Sequence, residues 1–206
     1  MAVITISRES GSGGKEIAAL LSEKLNYQIL TKAVMMDLVG RLESGALAQS
    51  SSEGTSITEG LLDWMSTPAA QREKSTLSSI DFEKPLTVRQ VRDLVLAAYQ
   101  HDNMIIIGRG SQVILANKPD VLHVRVIAPV EKRTAVRVAR EGLSLKEAQK
   151  KLMDADKAHV DFVKNFFDVD NRDPVLYDLV INTGKISIEA GAELILLALE
   201  KLPKPG

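Results

Sequence analysis

The chain has 206 residues, and 45% of them are hydrophobic, enough for one compact α/β domain with a sizeable core and a small inserted lid or flap. Its 26 basic and 27 acidic residues leave a formal charge of −1, so we expect no binding to nucleic acid or to a membrane surface. The absence of cysteine excludes disulfides and thiolate-bound metals, and three scattered histidines make no zinc site. With no signal-peptide pattern and no apolar stretch of transmembrane length, the chain is expected to be cytoplasmic.

The first predicted elements are a strand, a glycine-rich loop and a helix. Residues 2–7 are short and β-branched, which is typical of a buried parallel strand. From Lys15, apolar residues recur at helical spacing to about Asn26, a residue that tolerates the left-handed conformation at a helix end. A short strand at 27–30 and a helix capped by Thr31 follow. Residues 44–60 and 66–85 lack a clear pattern, so we expect a flap over about residues 40–86.

The rest of the chain alternates strands with helices. The predicted elements are a helix after Thr87, strands at 104–107, 121–128 and 177–182, and helices at 130–141, from Ser144 onward, and at 186–202. Because each parallel connection needs a crossover, five strands separated by helices indicate an α/β fold with a doubly wound parallel five-stranded sheet. We expect residues 1–206 to form this single domain, with a helical lid at about residues 140–175.

The glycine-rich segment joins the first strand to the first helix, where main-chain N–H groups and the helix dipole favour an anion. The residues predicted to bind nucleotide phosphates are Gly11, Ser12, Gly13, Gly14, Lys15 and Glu16. Lys15 is a mobile cation at the place where the lysine of G-x-x-x-x-G-K-[ST] reaches the outer phosphates. Glu9, however, replaces the first glycine of that pattern, and Glu16 replaces its final hydroxyl residue. The alternative is a tight glycine-rich turn without a ligand.

This altered loop and several later segments resemble the cytidylate kinase-like family. The similar segments are ITISRESGSGGKEIA (4–18), IIIGRG (105–110), VLHVRVIAP (121–129), REGLS (140–144) and YDLVINT (177–183). They cover both ends and most of the chain, excluding roughly residues 44–85. The resemblance implies the P-loop nucleoside monophosphate kinase fold, with phosphoryl transfer from ATP to a nucleotide or similar acceptor as the ancestral activity.

Two arginines are candidates for the acceptor side. Cytidylate kinases carry Gly-Arg-Asp after the third strand, and the resemblance implies that this arginine, here Arg109, holds the acceptor phosphate. The chain has Gly110 in place of the aspartate. An arginine at the carboxyl end of a buried parallel strand can also grip phosphate bidentately, and Arg8 has the same position after the first strand. We predict that Arg8 and Arg109 bind substrate and that Lys15 and Arg109 are catalytic, the alternative for each arginine being a structural role.

Phosphoryl transfer needs positive charge around the moving group, usually from Mg²⁺ and from arginines on a closing lid. The predicted lid cations are Arg133, Arg137 and Lys157, although most charges in this region are expected to form a solvated helix face. The sequence predicts no protein metal site, so the cofactors are ATP and Mg²⁺ bound mainly through the nucleotide, with Glu16 as a candidate carboxylate.

Three residues are expected to have structural rather than catalytic roles. His123 and Arg125 alternate within a predicted strand, which favours satisfied side chains under a helix or at an interface. Trp64 is predicted to be a core or flap anchor rather than a residue that stacks on a base.

Three functions stay open. The favoured one is an ATP-dependent phosphotransferase whose partners are a nucleotide and a small phosphorylated acceptor. The second is a nucleotide or phospho-ligand sensor without catalysis. The third is a homodimeric, partner-binding protein whose interface includes Arg125 and the closing helix.

Overall fold

The sheet brings the carboxyl ends of its central strands to one edge. A computed structural model describes residues 2–43, 60–61, 64 and 86–203. Its strands are β1 (Val3–Arg8), β2 (Gln28–Leu30), β3 (Met104–Ile107), β4 (Val121–Ile127) and β5 (Leu179–Asn182). They form one parallel sheet in the order β2-β3-β1-β4-β5, which confirms the predicted α/β class. The residues after β1, β3 and β4 therefore lie side by side, as ligand-binding loops of open α/β sheets do.

The helices begin and end close to the predicted residues. In the described part of the chain they are α1 (Gly14–Leu25), α2 (Lys32–Glu43), α3 (Val88–His101), α4 (Ser111–Ile114), α5 (Val130–Glu141), α6 (Leu145–Phe167) and α7 (Ile188–Lys201). Asn26 ends α1 in the left-handed conformation, and Thr31 accepts a hydrogen bond from the Val34 N–H. Thr87 and Ser144 each form a capping box, so local side-chain chemistry fixes where α3 and α6 start.

Two hydrophobic clusters cover the two faces of the sheet. Ile4 and Ile6 of β1 pack with α1 and α7 on one face, whereas Val3 packs with α2 and α3 on the other. Leu61 and Trp64 are also buried on this second face, which agrees with the prediction of Trp64 as a core anchor. Towards the carboxyl edge the second face becomes polar, because Ser7 of β1 lies beside Arg125 of β4. The candidate site lies at this change from apolar to polar.

Sequence periodicity missed two short elements. These are α4 and a 3₁₀ turn at Pro174–Leu176, each too short to show a hydrophobic period. The turn delays the last strand, predicted from residue 177, until Leu179. Most of the predicted flap, about residues 40–86, lies outside the described residues. In the described part of the chain, no helix is both long and apolar enough to cross a membrane.

Candidate functional site

The glycine-rich loop wraps the amino terminus of α1. Gly13 is the N-cap residue, in the left-handed conformation at φ 85°, and the first-turn N–H groups after it have no acceptor within the helix. Gly11 lies against α5, where an added Cβ would be 3.1 Å from the Arg133 carbonyl oxygen. The loop can therefore follow this tight path only with small residues, and its main chain points donors at the helix start.

Ser12 anchors the loop from below. It is buried, and its Oγ donates hydrogen bonds to the carbonyl oxygens of Glu9 at 2.9 Å and Val126 at 3.0 Å. Thr183 donates from its Oγ1 to the Ser12 carbonyl oxygen at 2.8 Å. The Ser12 N–H also donates to the Glu9 carbonyl oxygen at 3.2 Å, so both the side chain and the main chain of Ser12 hold the loop in place.

Lys15 is a cation without a carboxylate partner. Among the described residues it takes part in no ion pair, while burial lowers its pKa and the charges of Arg8 and Arg140 lower it further against the opposing effect of Glu16. A desolvated ammonium beside other cations and a helix amino terminus lies in positive potential. Such potential favours a polyanion.

Glu9 and Glu16, the two residues that depart from the phosphate-loop pattern, both contact other parts of the protein. Glu9 Oε2 accepts a hydrogen bond from the Ala128 N–H at 3.2 Å and lies 3.4 Å from Arg133 Nε. Glu16 pairs with Arg140 at 2.6 Å, a contact with α5 that the sequence did not predict. Glu9 thus ties the loop to the start of α5, which explains how a glutamate can replace the first glycine without pointing at the ligand.

The predicted lid cations differ in what they contact. Arg133 is 4% exposed and donates to Ala128 O at 2.9 Å, Ser10 O at 3.2 Å and Asp156 Oδ2 at 2.6 Å. Arg137 contacts Ser10 Oγ and Glu141, each at 3.2 Å, and Lys157 pairs with Asp161. Arg133 is therefore a buried connection between the loop and α6.

Asp156 of α6 completes that connection. Its Oδ1 accepts a hydrogen bond from the Ser10 N–H at 3.0 Å while its Oδ2 binds Arg133. One main-chain donor of the loop is thus taken by a carboxylate from the lid helix.

Arg8 and Arg109 converge from adjacent strands. Burial lowers the pKa of Arg8 to about 10, with Glu16 opposing and Arg109 adding to the decrease. Burial also lowers the pKa of Arg109, whose Cζ lies 4.6 Å from the centroid of the Phe162 ring on α6. In the described part of the chain neither arginine forms an ion pair with a carboxylate.

His159 of α6 lies beside the candidate site but is not among the site residues predicted from the sequence. Burial lowers its pKa to about 4, and the charges of Arg8, Arg109 and Arg125 add to the decrease against Asp156. The ring is next to Gly108, where an added Cβ would be 3.4 Å from His159 Cε1. Only its place in the predicted lid could have suggested it, because no local motif marks the position.

Arg125 is covered within the chain. It is 7% exposed, with Nη1 bonded to the Asn171 carbonyl oxygen at 2.7 Å and Ser7 Oγ at 3.3 Å. This burial favours the predicted place under the fold over a place at an interface, and the homodimer stays a prediction. His123 is buried, as predicted, and its Nδ1 lies 2.7 Å from Thr5 Oγ1, but its Nε2 is buried without a hydrogen-bond partner among the described residues, so only one ring nitrogen is satisfied.

Acid should destabilise the protein through its buried histidines. The pKa values of His123 and His159 are both lowered mainly by burial, so between pH 6.5 and about 4 the unfolded chain binds more protons than the folded one. The contribution of the two histidines to the unfolding free energy is complete above pH 6.5. Below that pH it falls by at most about 1.4 kcal/mol per pH unit for each histidine. Urea unfolding from pH 7.5 to 4.5 measures this, and His159→Gln should flatten the slope. An unchanged slope in that variant would contradict a neutral His159 in the folded state.

The missing aspartate at Gly110 has a steric cause. Gly108, Arg109 and Gly110 all have positive φ, at 71°, 59° and 70°. A Cβ on Gly110 would lie 2.3 Å from Phe167 Cε2 at the end of α6. Phe167 thus occupies the space that any side chain at position 110 would need.

Gly110→Ala should therefore destabilise the protein by about 2 to 3 kcal/mol, because it combines overpacking with an unfavourable backbone conformation. Chemical denaturation measures the loss. Combining it with Phe167→Ala should recover part of the loss relative to the sum of the two single variants. Additive effects of the two substitutions would show that the ring does not restrict position 110.

These features define a P-loop kinase-like α/β domain: a glycine-rich loop at a helix amino terminus, on a five-stranded parallel sheet, with cations after β1 and β3. The chain belongs to the cytidylate kinase-like family, whose model matches residues 3–185.

Curated relatives agree with this assignment, and a solved structure agrees with the fold. A cytidylate kinase of Pyrococcus horikoshii is 29% identical over 118 residues, which are 57% of this chain and about 60% of the length of that relative. A cytidylate kinase of Methanocaldococcus jannaschii is 25% identical over 98% of this chain and 99% of its own length. A crystal structure of an uncharacterized protein from Eubacterium ventriosum has a TM-score of 0.70 at 19% identity, covering 98% of this chain and 99% of that one. This last similarity shows the fold.

Proposed function

We propose that the protein is an ATP-dependent phosphotransferase that moves the terminal phosphoryl group of ATP to a nucleoside monophosphate or a similar small phosphorylated acceptor. One observation carries the proposal: in the described part of the chain, three cations without a carboxylate ion pair, Lys15, Arg8 and Arg109, lie at the start of α1 and after β1 and β3. Burial is the main cause that lowers the pKa of each, and Arg8 lowers the pKa of Lys15 further, as Arg109 does that of Arg8. The positive charge of these residues extends from the phosphate loop to the turn after β3. Two phosphorylated substrates whose phosphate groups lie next to each other need positive charge along this line.

The roles follow from position. Lys15 and the main-chain N–H groups of Gly11, Gly13 and Gly14 bind the ATP phosphates, while Arg8 and Arg109 bind the acceptor and the transferred group. No general base is required, because positioning and charge neutralisation supply most of the catalysis of phosphoryl transfer. Helix α6 covers the cations, so closure of this helix would exclude water from the reacting phosphates.

Mg²⁺ would be bound mainly through the phosphates. The described residues contain no cluster of three or more histidine and carboxylate side chains suited to a metal. Glu16 is the carboxylate in the first turn of α1, and Arg140 pairs with it. This donor set fits Mg²⁺, which keeps several waters and takes one or two carboxylates beside substrate phosphates. When bound, the ion would neutralise charge on the β- and γ-phosphates.

A nucleotide-binding sensor without turnover is the second candidate. It is favoured by Asp156, whose carboxylate accepts the Ser10 N–H within the phosphate loop. A carboxylate of the protein thus accepts a hydrogen bond from an N–H group that could otherwise donate to an ATP phosphate. Binding would then compete with this internal contact without leading to transfer.

ATP consumption with a panel of acceptors separates the two candidates. CMP, dCMP, UMP and AMP are compared with a reaction that lacks acceptor, each with Mg²⁺, and Lys15→Ala serves as the inactive control. Acceptor-dependent ADP formation above the Lys15→Ala level is the expected result. ATP binding by calorimetry without consumption for any acceptor would reject the phosphotransferase and favour the sensor.

A further inference from the structure

A chamber of about 340 Å³ lies beneath α6, beside the carboxyl ends of β1 and β4. Its basic lining residues are Arg8, Arg125, Lys157, His159 and Arg172. Its two carboxylates, Glu9 and Asp156, are already bound by Arg133 and by main-chain N–H groups. Lys157 and Arg172 pair with Asp161 and Asp170, and the lowered pKa of His159 keeps its ring neutral. The positive charge that the described residues leave without an ion pair therefore comes from Arg8 and Arg125, and the volume of the chamber suits a small ligand.

Arg125 is the deepest of these cations. It projects from the middle of β4, and its Nη1 donates only to neutral oxygens, those of Ser7, Asn171 and Tyr177. Among the described residues it forms no ion pair. A buried guanidinium without a carboxylate is costly, and the cost is accepted most readily where an anion binds in the functional state.

Asn171 gives an independent sign of a missing partner. The residue is 3% exposed and lines the same chamber, yet its Oδ1 is buried without a hydrogen bond. Buried polar atoms are nearly always satisfied, so an unsatisfied oxygen on a residue that lines the chamber favours a bound group that donates to it. A hydroxyl group beside a phosphate, as in a sugar phosphate, provides such a donor.

We propose that Arg125, together with Arg8, binds the dianionic phosphate of a phosphomonoester acceptor inside the chamber beneath α6, with Asn171 Oδ1 accepting a hydrogen bond from a neighbouring hydroxyl group. This inference rests on the proposed phosphotransferase function and adds to it the site and chemical class of the acceptor. Arg109, stacked on Phe162, then lies towards the side of this phosphate that receives the transferred phosphoryl group.

The titration of His159 can reveal anion binding in the chamber without an activity measurement. The groups that face it are Arg8, Arg109 and Arg125 from the strands and Asp156 on its own helix, with Lys157, Arg172 and Glu9 in the same lining. A phosphate dianion would oppose the three arginines, so its arrival should raise the pKa of His159. The chain has only three histidines, which makes their proton NMR titrations separable.

The experiment follows the His159 titration with inorganic phosphate and with CMP, in chloride buffer without sulfate. It uses the full chain and the Lys15→Ala variant, in which binding at the phosphate loop is weakened. We expect the His159 pKa to rise by about one unit or more in both proteins, since nearby opposite charge shifts pKa values by one to three units. His101, exposed at the far end of α3, identifies non-specific effects.

Variants of Arg125 then test the arginine itself. Arg125→Gln should weaken phosphate and CMP binding at least tenfold and change ATP binding by less than about twofold. Arg125→Lys keeps the charge if the first variant does not fold, and should still weaken CMP binding because the planar fork is lost. Lys24→Gln, in the last turn of α1, is a matched charge-loss control.

The outcomes separate this inference from the proposed function. If His159 responds to phosphate but no acceptor is phosphorylated, the chamber binds anions and the phosphotransferase proposal fails. If acceptors are phosphorylated but both Arg125 variants keep the wild-type KM for the acceptor, the phosphotransferase proposal stands and this inference is overturned. A His159 titration that phosphate and CMP leave unchanged overturns it directly.

Discussion

Lys15→Ala should weaken ATP binding by about 1.5 to 3 kcal/mol, which corresponds to roughly ten- to hundredfold in Kd. Lys15 is the cation at the start of α1 that takes part in none of the ion pairs formed by the described residues. Its charge is therefore available to the outer phosphates without breaking an existing contact. Isothermal calorimetry with ATP and Mg²⁺ measures the loss, and Lys24→Ala at the other end of α1 is the control.

The same substitution should not destabilise the protein without ligand. Burial and neighbouring cations lower the pKa of Lys15, so the folded state disfavours its charge at neutral pH. Removing that charge should leave the unfolding free energy within about 1 kcal/mol of the wild-type value or raise it. A binding loss accompanied by equal destabilisation would mean that Lys15 supports the loop rather than the nucleotide. Unchanged ATP affinity would remove Lys15 from the phosphate site.

Local chemistry explains why much of the fold could be predicted from the sequence. Ser144 and Glu147 form their capping box within four residues, and Asn26 ends α1 through its own left-handed conformation. The apolar periods of α3 and α7 depend only on which face meets the sheet. The central strand β3 is a continuous apolar run because both faces of the sheet are covered there.

The roles of the site residues were harder to predict because they depend on contacts between distant parts of the chain. Ser10 and Asp156 are 146 positions apart, and Arg125 meets Asn171 across 46 positions. Nothing near Glu9 in sequence shows that its carboxylate is bound to the start of α5. The phosphate site therefore stays a prediction from the sequence, and the structure was needed to see which charges are already neutralised within the protein.

Arg133 is the residue on which this neutralisation depends. Its guanidinium contacts two carboxylates, Glu9 and Asp156, and two main-chain carbonyl oxygens, those of Ser10 and Ala128. The side chain is 5% exposed and those of the two carboxylates are 28% and 27% exposed, so water can replace the arginine only in part. The contacts join the phosphate loop, α5 and α6, and their loss should affect all three together.

Arg133→Ala should lower the unfolding free energy by about 3 kcal/mol, because removing one partner leaves two partly buried carboxylates without compensation. Urea unfolding measures the loss. Arg140→Ala should cost less than about 1 kcal/mol, since the Arg140–Glu16 pair is largely exposed. Adding Asp156→Asn to Arg133→Ala should restore part of the stability by removing one of the uncompensated charges. If Arg133→Ala is no more destabilising than Arg140→Ala, Arg133 does not connect the loop to the lid, and its guanidinium is available to ATP phosphates as the sequence predicts.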